Sequence, residues 1–299
     1  MPPSLAIVLS AAAGSGPPGP LVQRIETVLG AAGREARVAV AATGADLPRA
    51  VREALAAGPG TLVIGGGDGS VSCAARAVVD TDTALGVLPL GTLNHFARDL
   101  GLPFELDEAL AAVLAGYTQR VDVGEVNGRV FVNNSSLGLY PRILRLRARY
   151  PARGVRKWLI AAWATFKMLQ RQSDIGVRIT AGGESVARRT SLILVANNEY
   201  RMEGLDAASR DSLTGGRLAI YVVQAHATRH IIRLLWTTLR GNSRHTGILD
   251  VLRATTATIH ARRSLVPVAC DGEVEIMHMP LEYSIRPRAL NVIVPANRE

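Results

Sequence analysis

One stretch constrains this chain more than any other: the apolar run Thr61–Ile64 stops on Gly65-Gly66-Gly67-Asp68-Gly69-Ser70. Consecutive glycines after a buried strand let the backbone turn sharply and bring N–H groups against an anion. A helix that follows then offers its positive end to the same anion. Asp68 would repel a phosphate directly, so its place in such a loop suits a divalent cation or a substrate hydroxyl lying between the two. The competing reading is a plain tight turn with Asp68 as a solvated cap.

The surroundings set this loop in a parallel sheet. Ala6–Leu9, Arg37–Ala41, Thr61–Ile64 and Ala84–Leu88 are short apolar runs. Helical patterns near Leu21–Ala32, Pro48–Ala57 (with Asp46 as cap) and Ser70–Val79 separate them. Such a β-α-β-α-β rhythm predicts a sheet covered on both faces, with ligands beyond the carboxyl ends of its strands. From about Val126 the pattern changes. Val130–Asn133, Gly176–Thr180, Leu192–Ala196, Arg217–Val223, Thr256–His260 and Val266–Cys270 alternate and are spaced by turn residues. They predict antiparallel strands, interrupted by helices near Arg156–Gln170 and Thr228–Leu239. The expected organisation is an α/β domain over residues 1–125 and a mostly-β domain over 126–285. The segment 286–299 is expected to return to the first domain.

A second loop follows the fourth predicted strand, in Pro89-Leu90-Gly91-Thr92-Leu93-Asn94-His95-Phe96-Ala97-Arg98. The Thr92 hydroxyl and Asn94 amide stand at the same sheet edge as the glycine loop. There they can hydrogen-bond a nucleotide, or act as a helix N-cap. No Gly-x-x-x-x-Gly-Lys-Ser/Thr occurs, and neither lysine, Lys157 or Lys167, lies in a protein-kinase context. The spacing also fails the dinucleotide fingerprint.

The remaining composition narrows the partners. Cys73 and Cys270 are the only cysteines, which excludes a disulfide framework or a thiolate zinc site and suits a reducing compartment. The apolar stretches are too short to span a membrane. Residues 1–16 lack the basic start of a signal peptide and read as a first buried strand. A cytoplasmic protein is expected. The net charge of +9 has one address: residues 126–173 contain no acid and ten cations, while the rest of the chain carries 24 basic residues against 25 acids. Arg142 to Arg171 flank Trp158-Leu159-Ile160-Ala161-Ala162-Trp163, a combination suited to an anionic membrane surface. A core helix with a solvated charged face is the alternative. Nothing pairs the cations with a recognition helix or stacking aromatics, so no nucleic-acid partner is expected.

Gly66-Gly67-Asp68-Gly69-Ser70 followed by Gly91-Thr92-Leu93-Asn94-His95-Phe96-Ala97-Arg98 resembles the diacylglycerol kinase catalytic-domain family of lipid kinases. The likeness extends to Val130–Gly138, to Ala196-Asn197-Asn198 and to Cys270-Asp271-Gly272-Glu273. It implies an N-terminal nucleotide domain, a C-terminal β-sandwich-like domain and an active site in the cleft between them. ATP and Mg²⁺ are the implied cofactors, and a membrane lipid such as diacylglycerol is the implied acceptor. Gly65, Gly66, Gly67, Asp68, Gly69, Ser70, Gly91, Thr92 and Asn94 are the implied nucleotide site, with Asp68 also an implied catalytic residue, acting through Mg²⁺ or orienting the acceptor hydroxyl. Asp271 or Glu273 would accept the lipid hydroxyl's proton; without the resemblance, Asp271-Gly272-Glu273 reads as a hairpin turn. A homodimer is compatible with the pattern. An NAD kinase-like enzyme with a soluble acceptor and a non-catalytic relative are the alternatives. His95, Ser10-Ala11 and Gly215 stand where family members often show Asp, Asn-Pro and a metal-binding Asp.

Overall fold

The computed structural model describes residues 4–11, 17–149, 174–201, 209–210, 212–224 and 249–296. The helices expected at 156–170 and 228–239 lie outside them, as do Asp211, Trp158 and Trp163. The chain divides into two units, Met1–Val123 with Pro287–Glu299, and Gly124–Arg286.

The first unit runs β1 (Leu5–Ser10), α1 (Pro18–Ala31), β2 (Ala36–Ala41), α2 (Leu47–Leu55), β3 (Thr61–Gly66), α3 (Asp68–Val78), β4 (Ala84–Pro89), α4 (His95–Asp99) and α5 (Leu106–Ala115), then enters β5 (Thr118–Val126). β1 pairs with β2 on one side and β3 on the other, and β4 lies beyond β3; all these pairs are parallel. β1, β3 and β4 are buried along their whole length, as strands covered on both faces must be, whereas β2 at the edge is partly exposed. The chain winds one way from β1 to β2 and the other way to β3. The switch point therefore falls between the carboxyl ends of β1 and β3, where open parallel sheets bind ligands. Asp46 does stand at the start of α2, but its Oδ2 accepts the Thr43 N–H (3.1 Å) and hydroxyl (2.7 Å). It closes the preceding turn, and its side chain caps no helix N–H.

The second unit contains β6 (Arg129–Phe131), β7 (Asn134–Gly138), α6 (Leu139–Arg149), β8 (Ile175–Ala181), β9 (Glu184–Asn197), β10 (Leu218–Gln224), β11 (Leu249–Ala254), β12 (Thr256–Ala261), β13 (Leu265–Cys270), β14 (Glu273–His278) and the start of β15 (Leu281–Ile293). The pairings within it are antiparallel. The predicted strand Val130–Asn133 is instead the end of β6 and a link into β7. The first half of β9 pairs with β8, and its second half lies between β7 and β10. At the change of partner, buried Thr190 gives its hydroxyl to Val223 O at 2.6 Å, beside a register shift in β10. One core gathers inward residues of these strands, among them Phe131, Ile193, Ile220, Ile259, Val268 and Leu281. No helix among the described residues is long and apolar enough to cross a membrane.

The end of β15 belongs to the first unit, where Val292 lies opposite Leu85 of β4 in parallel. Buried Asp122 fastens this return by accepting the N–H of Arg288, whose φ of 51° is left-handed.

Cys270 is buried in the second core, 3.6 Å from Ser135 Oγ, which in turn meets Tyr283 Oη at 3.1 Å. Burial pushes the Cys270 thiol up to about 12. A raised value keeps the thiol protonated, and so unreactive, at pH 8. Iodoacetamide at pH 8 should leave Cys270 unlabelled in the native protein and label it in urea, as read by peptide mass spectrometry. Equal labelling rates in both states would contradict this packing.

Candidate functional site

In the first unit the two sequence loops meet at the carboxyl edge of the sheet. Gly65, Gly66, Gly67, Gly69 and Gly91 are all outside the left-handed region, so none is required for its φ. Three of them are needed for closeness. A Cβ on Gly65 would lie 2.4 Å from Leu9 Cδ2, and one on Gly66 would lie 2.4 Å from Ser70 Oγ. A Cβ on Gly91 would lie 2.4 Å from Gly67 Cα and 2.7 Å from Asn94 Oδ1. Gly65 and Gly66 accordingly close β3 itself, and the turn is left to Gly67.

Asn94 braces the second loop. Buried and left-handed (φ 48°), it accepts the Gly91 N–H at 3.0 Å and donates to Pro89 O (3.1 Å) and Gly91 O (2.8 Å). Its amide is thus spent on the loop and caps no helix. Asp68 ties the two loops together, its Oδ1 accepting the Phe96 N–H at 3.2 Å. Its Oδ2 makes no hydrogen bond among the described residues. At the start of α3 the N–H groups of Ser70 and Val71 go to Gly67 O, and those of Asp68 and Gly69, first-turn donors, have no hydrogen-bond partner among the described residues. Thr92 is exposed with its hydroxyl free among the described residues, and a Cβ at Gly69 would meet nothing within 4 Å. The result is a rigid cradle of N–H donors, a hydroxyl and one carboxylate oxygen.

In the second unit Asp271 and Gly272 are the left-handed pair (φ 48° and 87°) of the two-residue turn joining β13 to β14. The Asp271 carboxylate reaches back to the link between β6 and β7. Oδ2 accepts Val132 N–H (2.9 Å), and Oδ1 accepts Asn133 N–H (2.8 Å) and Asn134 N–H (3.1 Å). Buried Arg210 donates to Val132 O (2.6 Å), Asn197 O (3.1 Å) and Asn133 Oδ1 (3.0 Å), and Asn197 Nδ2 donates to Val132 O (2.9 Å). Glu273 stands two residues beyond Asp271 and is partly exposed. Arg129 Nη2 lies 2.6 Å from Glu273 and 2.8 Å from Glu275.

The three motif pieces of this half, Asn133-Asn134, Asn197-Asn198 and Asp271, are therefore one network. Sequence reasoning missed Arg210, Arg129 and Glu275, because nothing local to them marks a role. Gly215 packs against Asn198: a Cβ there would lie 2.8 Å from Asn198 Oδ1, so any side chain at 215 requires the Asn198 amide to move. No cluster of three or more His, Cys, Asp or Glu able to hold a metal occurs among the described residues.

The chain matches two family models: the diacylglycerol kinase catalytic domain over residues 4–126, and the YegS C-terminal NAD kinase beta sandwich-like domain over residues 145–294. A protein of Pseudomonas aeruginosa strain PAO1 named "Probable lipid kinase YegS-like" is 30% identical over 270 residues, 89% of this chain and 86% of that protein. A diacylglycerol kinase of Mycobacterium tuberculosis strain H37Rv is 29% identical over 252 residues, 81% and 79% of the two chains. A crystal structure of a diacylglycerol kinase from Bacillus anthracis str. Sterne superposes with a TM-score of 0.75 over 99% of each chain at 21% identity, a likeness of fold.

Two glycines test the cradle. Gly91→Ala should cost about 1–3 kcal/mol in urea denaturation, because the new methyl strikes backbone that cannot yield. Gly69→Ala should change stability by no more than about 0.5 kcal/mol. Equal losses would contradict the close-approach account. Asp271→Ala, which strips the acceptor from three N–H groups, should cost at least about 2 kcal/mol by the same measurement.

Proposed function

The chain belongs to the diacylglycerol kinase catalytic-domain family of lipid kinases, and from that premise we propose that it transfers the γ-phosphoryl group of ATP to a hydroxyl of a membrane lipid such as diacylglycerol. The observation that carries the reading is the cradle. Two loops are held in backbone contact at Gly67 and Gly91, and the Asp68 and Gly69 N–H groups and Asp68 Oδ2 have no hydrogen-bond partner among the described residues.

That donor set fits a metal-bound polyphosphate. When bound, Mg²⁺ offsets phosphate charge and leaves the γ-phosphorus open to attack. The N–H groups of Asp68 and Gly69 and the Ser70 hydroxyl hold phosphate oxygens, helped by the positive end of α3. Asp68 Oδ2 holds the metal, and the Thr92 hydroxyl contacts the nucleotide. Gly65, Gly66, Gly67, Gly91 and Asn94 act by setting the loops at the necessary spacing. Gly69 meets nothing in the fold, and its missing side chain keeps open the space a phosphate takes.

In the 126–285 domain, Glu273 is the better candidate for the base. Both Asp271 oxygens are held by backbone N–H groups, so Asp271 positions the β6–β7 link. Glu273 shares Arg129 with Glu275 and is the more exposed carboxylate. It takes the proton of the acceptor hydroxyl as the new O–P bond forms and the bond to the ADP oxygen breaks. The acid-free segment, with Arg142 and Arg145 on α6, draws the protein to anionic head groups on the cytoplasmic side at about 1 kcal/mol per cation.

Radiolabelled ATP incubated with a crude lipid extract and analysed by thin-layer chromatography tests this. A labelled lipid product is expected. Asp68→Asn and Glu273→Gln should lower kcat by about 10²–10⁴-fold with unchanged thermal transitions. Gly69→Ala should raise KM for ATP at near-native stability. Phosphorylation of NAD with no lipid product would overturn the acceptor assignment, and full turnover in Glu273→Gln would remove it as base.

A further inference from the structure

At the opposite end of β13 from the Asp271 turn, the second unit holds a cavity of about 500 Å³. Pro267, on its wall, and Asp271 are four residues apart along an extended strand, about 13 Å, so an occupant of the cavity does not sit on the Asp271 carboxylate. Leu137 at the end of β7, Ile175 at the start of β8, and Val266 and Pro267 at the start of β13 make an apolar wall. Four arginines from three pieces of chain line it: Arg142 from α6, Arg189 from β9, and Arg262 and Arg263 from the turn between β12 and β13.

These arginines differ from six others among the described residues. Arg24, Arg49, Arg120, Arg188, Arg253 and Arg286 each pair with a carboxylate. Arg188 pairs with Asp250, but its neighbour Arg189 makes no side-chain hydrogen bond or ion pair among the described residues, and neither do Arg142, Arg262 and Arg263. The acid on the wall, Asp174, is paired with none of them. Among the described lining residues, four cations against one acid leave an excess of positive charge over an apolar surface. Like charges held together without counter-charge repel, and a bound anion relieves that repulsion. Guanidinium forks match phosphate in particular, because two parallel N–H groups can engage two of its oxygens. The volume lies within the range of sites for one small-molecule ligand.

We infer that this cavity binds a single-chain lipid with an anionic head, its apolar body against Leu137, Ile175, Val266 and Pro267 and its head held by Arg142, Arg189, Arg262 and Arg263. Binding here requires neither ATP nor turnover, so it is measured separately from kinase activity.

The test is isothermal titration calorimetry on the full chain with oleoyl lysophosphatidate below its critical micelle concentration. One equivalent should bind. Neutral monooleoylglycerol should bind at least about 10-fold more weakly, and inorganic phosphate at least about 100-fold more weakly. The double variant Arg262→Ala/Arg263→Ala should lose at least about 10-fold in affinity. Gly176 also lines the cavity, and a Cβ on it would meet nothing within 4 Å. Gly176→Leu should therefore fold normally, narrow the cavity and weaken lysophosphatidate binding about 5-fold or more. It decides the matter if the arginine variant does not fold. Undiminished affinity in the folded variants, or equally tight binding of monooleoylglycerol, would overturn the site. Phosphate binding as tightly as the lysolipid would overturn the lipid assignment. Lysophosphatidate binding without any lipid kinase activity would count against the kinase reading alone.

Discussion

Three backbone N–H groups point at one carboxylate in the second unit, and the polar order there depends on it. Val130–Asn133 reads as a strand, but the Asp271 carboxylate takes the N–H groups of Val132, Asn133 and Asn134 out of any sheet ladder. The carbonyls of the same link are met by Arg210, by the Asn197 backbone and side chain, and by Asp271 N–H. A backbone segment at a sheet margin must find a partner for every buried donor and acceptor. Here the partners come from three separate parts of the chain, at Asn197, Arg210 and Asp271. The hairpin turn that carries Asp271 is consequently also the fastening of β6 to β7, and Glu273 is presented from that fixed base.

The first unit solves a comparable problem by removing atoms. Its signature glycines are not there to adopt unusual φ angles. They let Leu9 lie on Gly65, Ser70 on Gly66, and the Gly67 and Gly91 backbones touch. Asp68 joins the two loops with one oxygen and keeps the other, whereas Asp271 commits both. The same side chain thus commits one oxygen in one unit and both in the other. Hydrogen-bond capacity already spent separates a residue that holds a site from one that acts in it.

Much of the first unit was legible because each strand there is a short apolar run buried on both faces, bounded by glycine or a helical period. The second unit was less so. β6 is three residues long, and the split between β6 and β7 comes from Asp271, more than 130 positions away. β11 and the first half of β15 were not anticipated, and β14 was implied only by the hairpin reading of Asp271-Gly272-Glu273; in β15 the alternation is diluted by charged residues on the exposed face, such as Glu282. Asp46 carried the local mark of a helix cap and was taken by Thr43, a nearer donor. Arg210 and the four arginines around the second-unit cavity carry no local signal at all.

By itself the sequence determined the α/β and antiparallel halves, the two glycine-bearing loops and the acids beside them, because periodicity and missing side chains are local properties. It also confined the surplus charge to one acid-free segment. Only the tertiary structure decided that Asn94 is a brace, that Asp271 is held by three N–H groups while Glu273 is not, and that Arg189, Arg262 and Arg263 join Arg142 around one apolar wall. Those outcomes depend on which donors and acceptors are left over once distant strands have paired, and one-dimensional spacing does not contain that information.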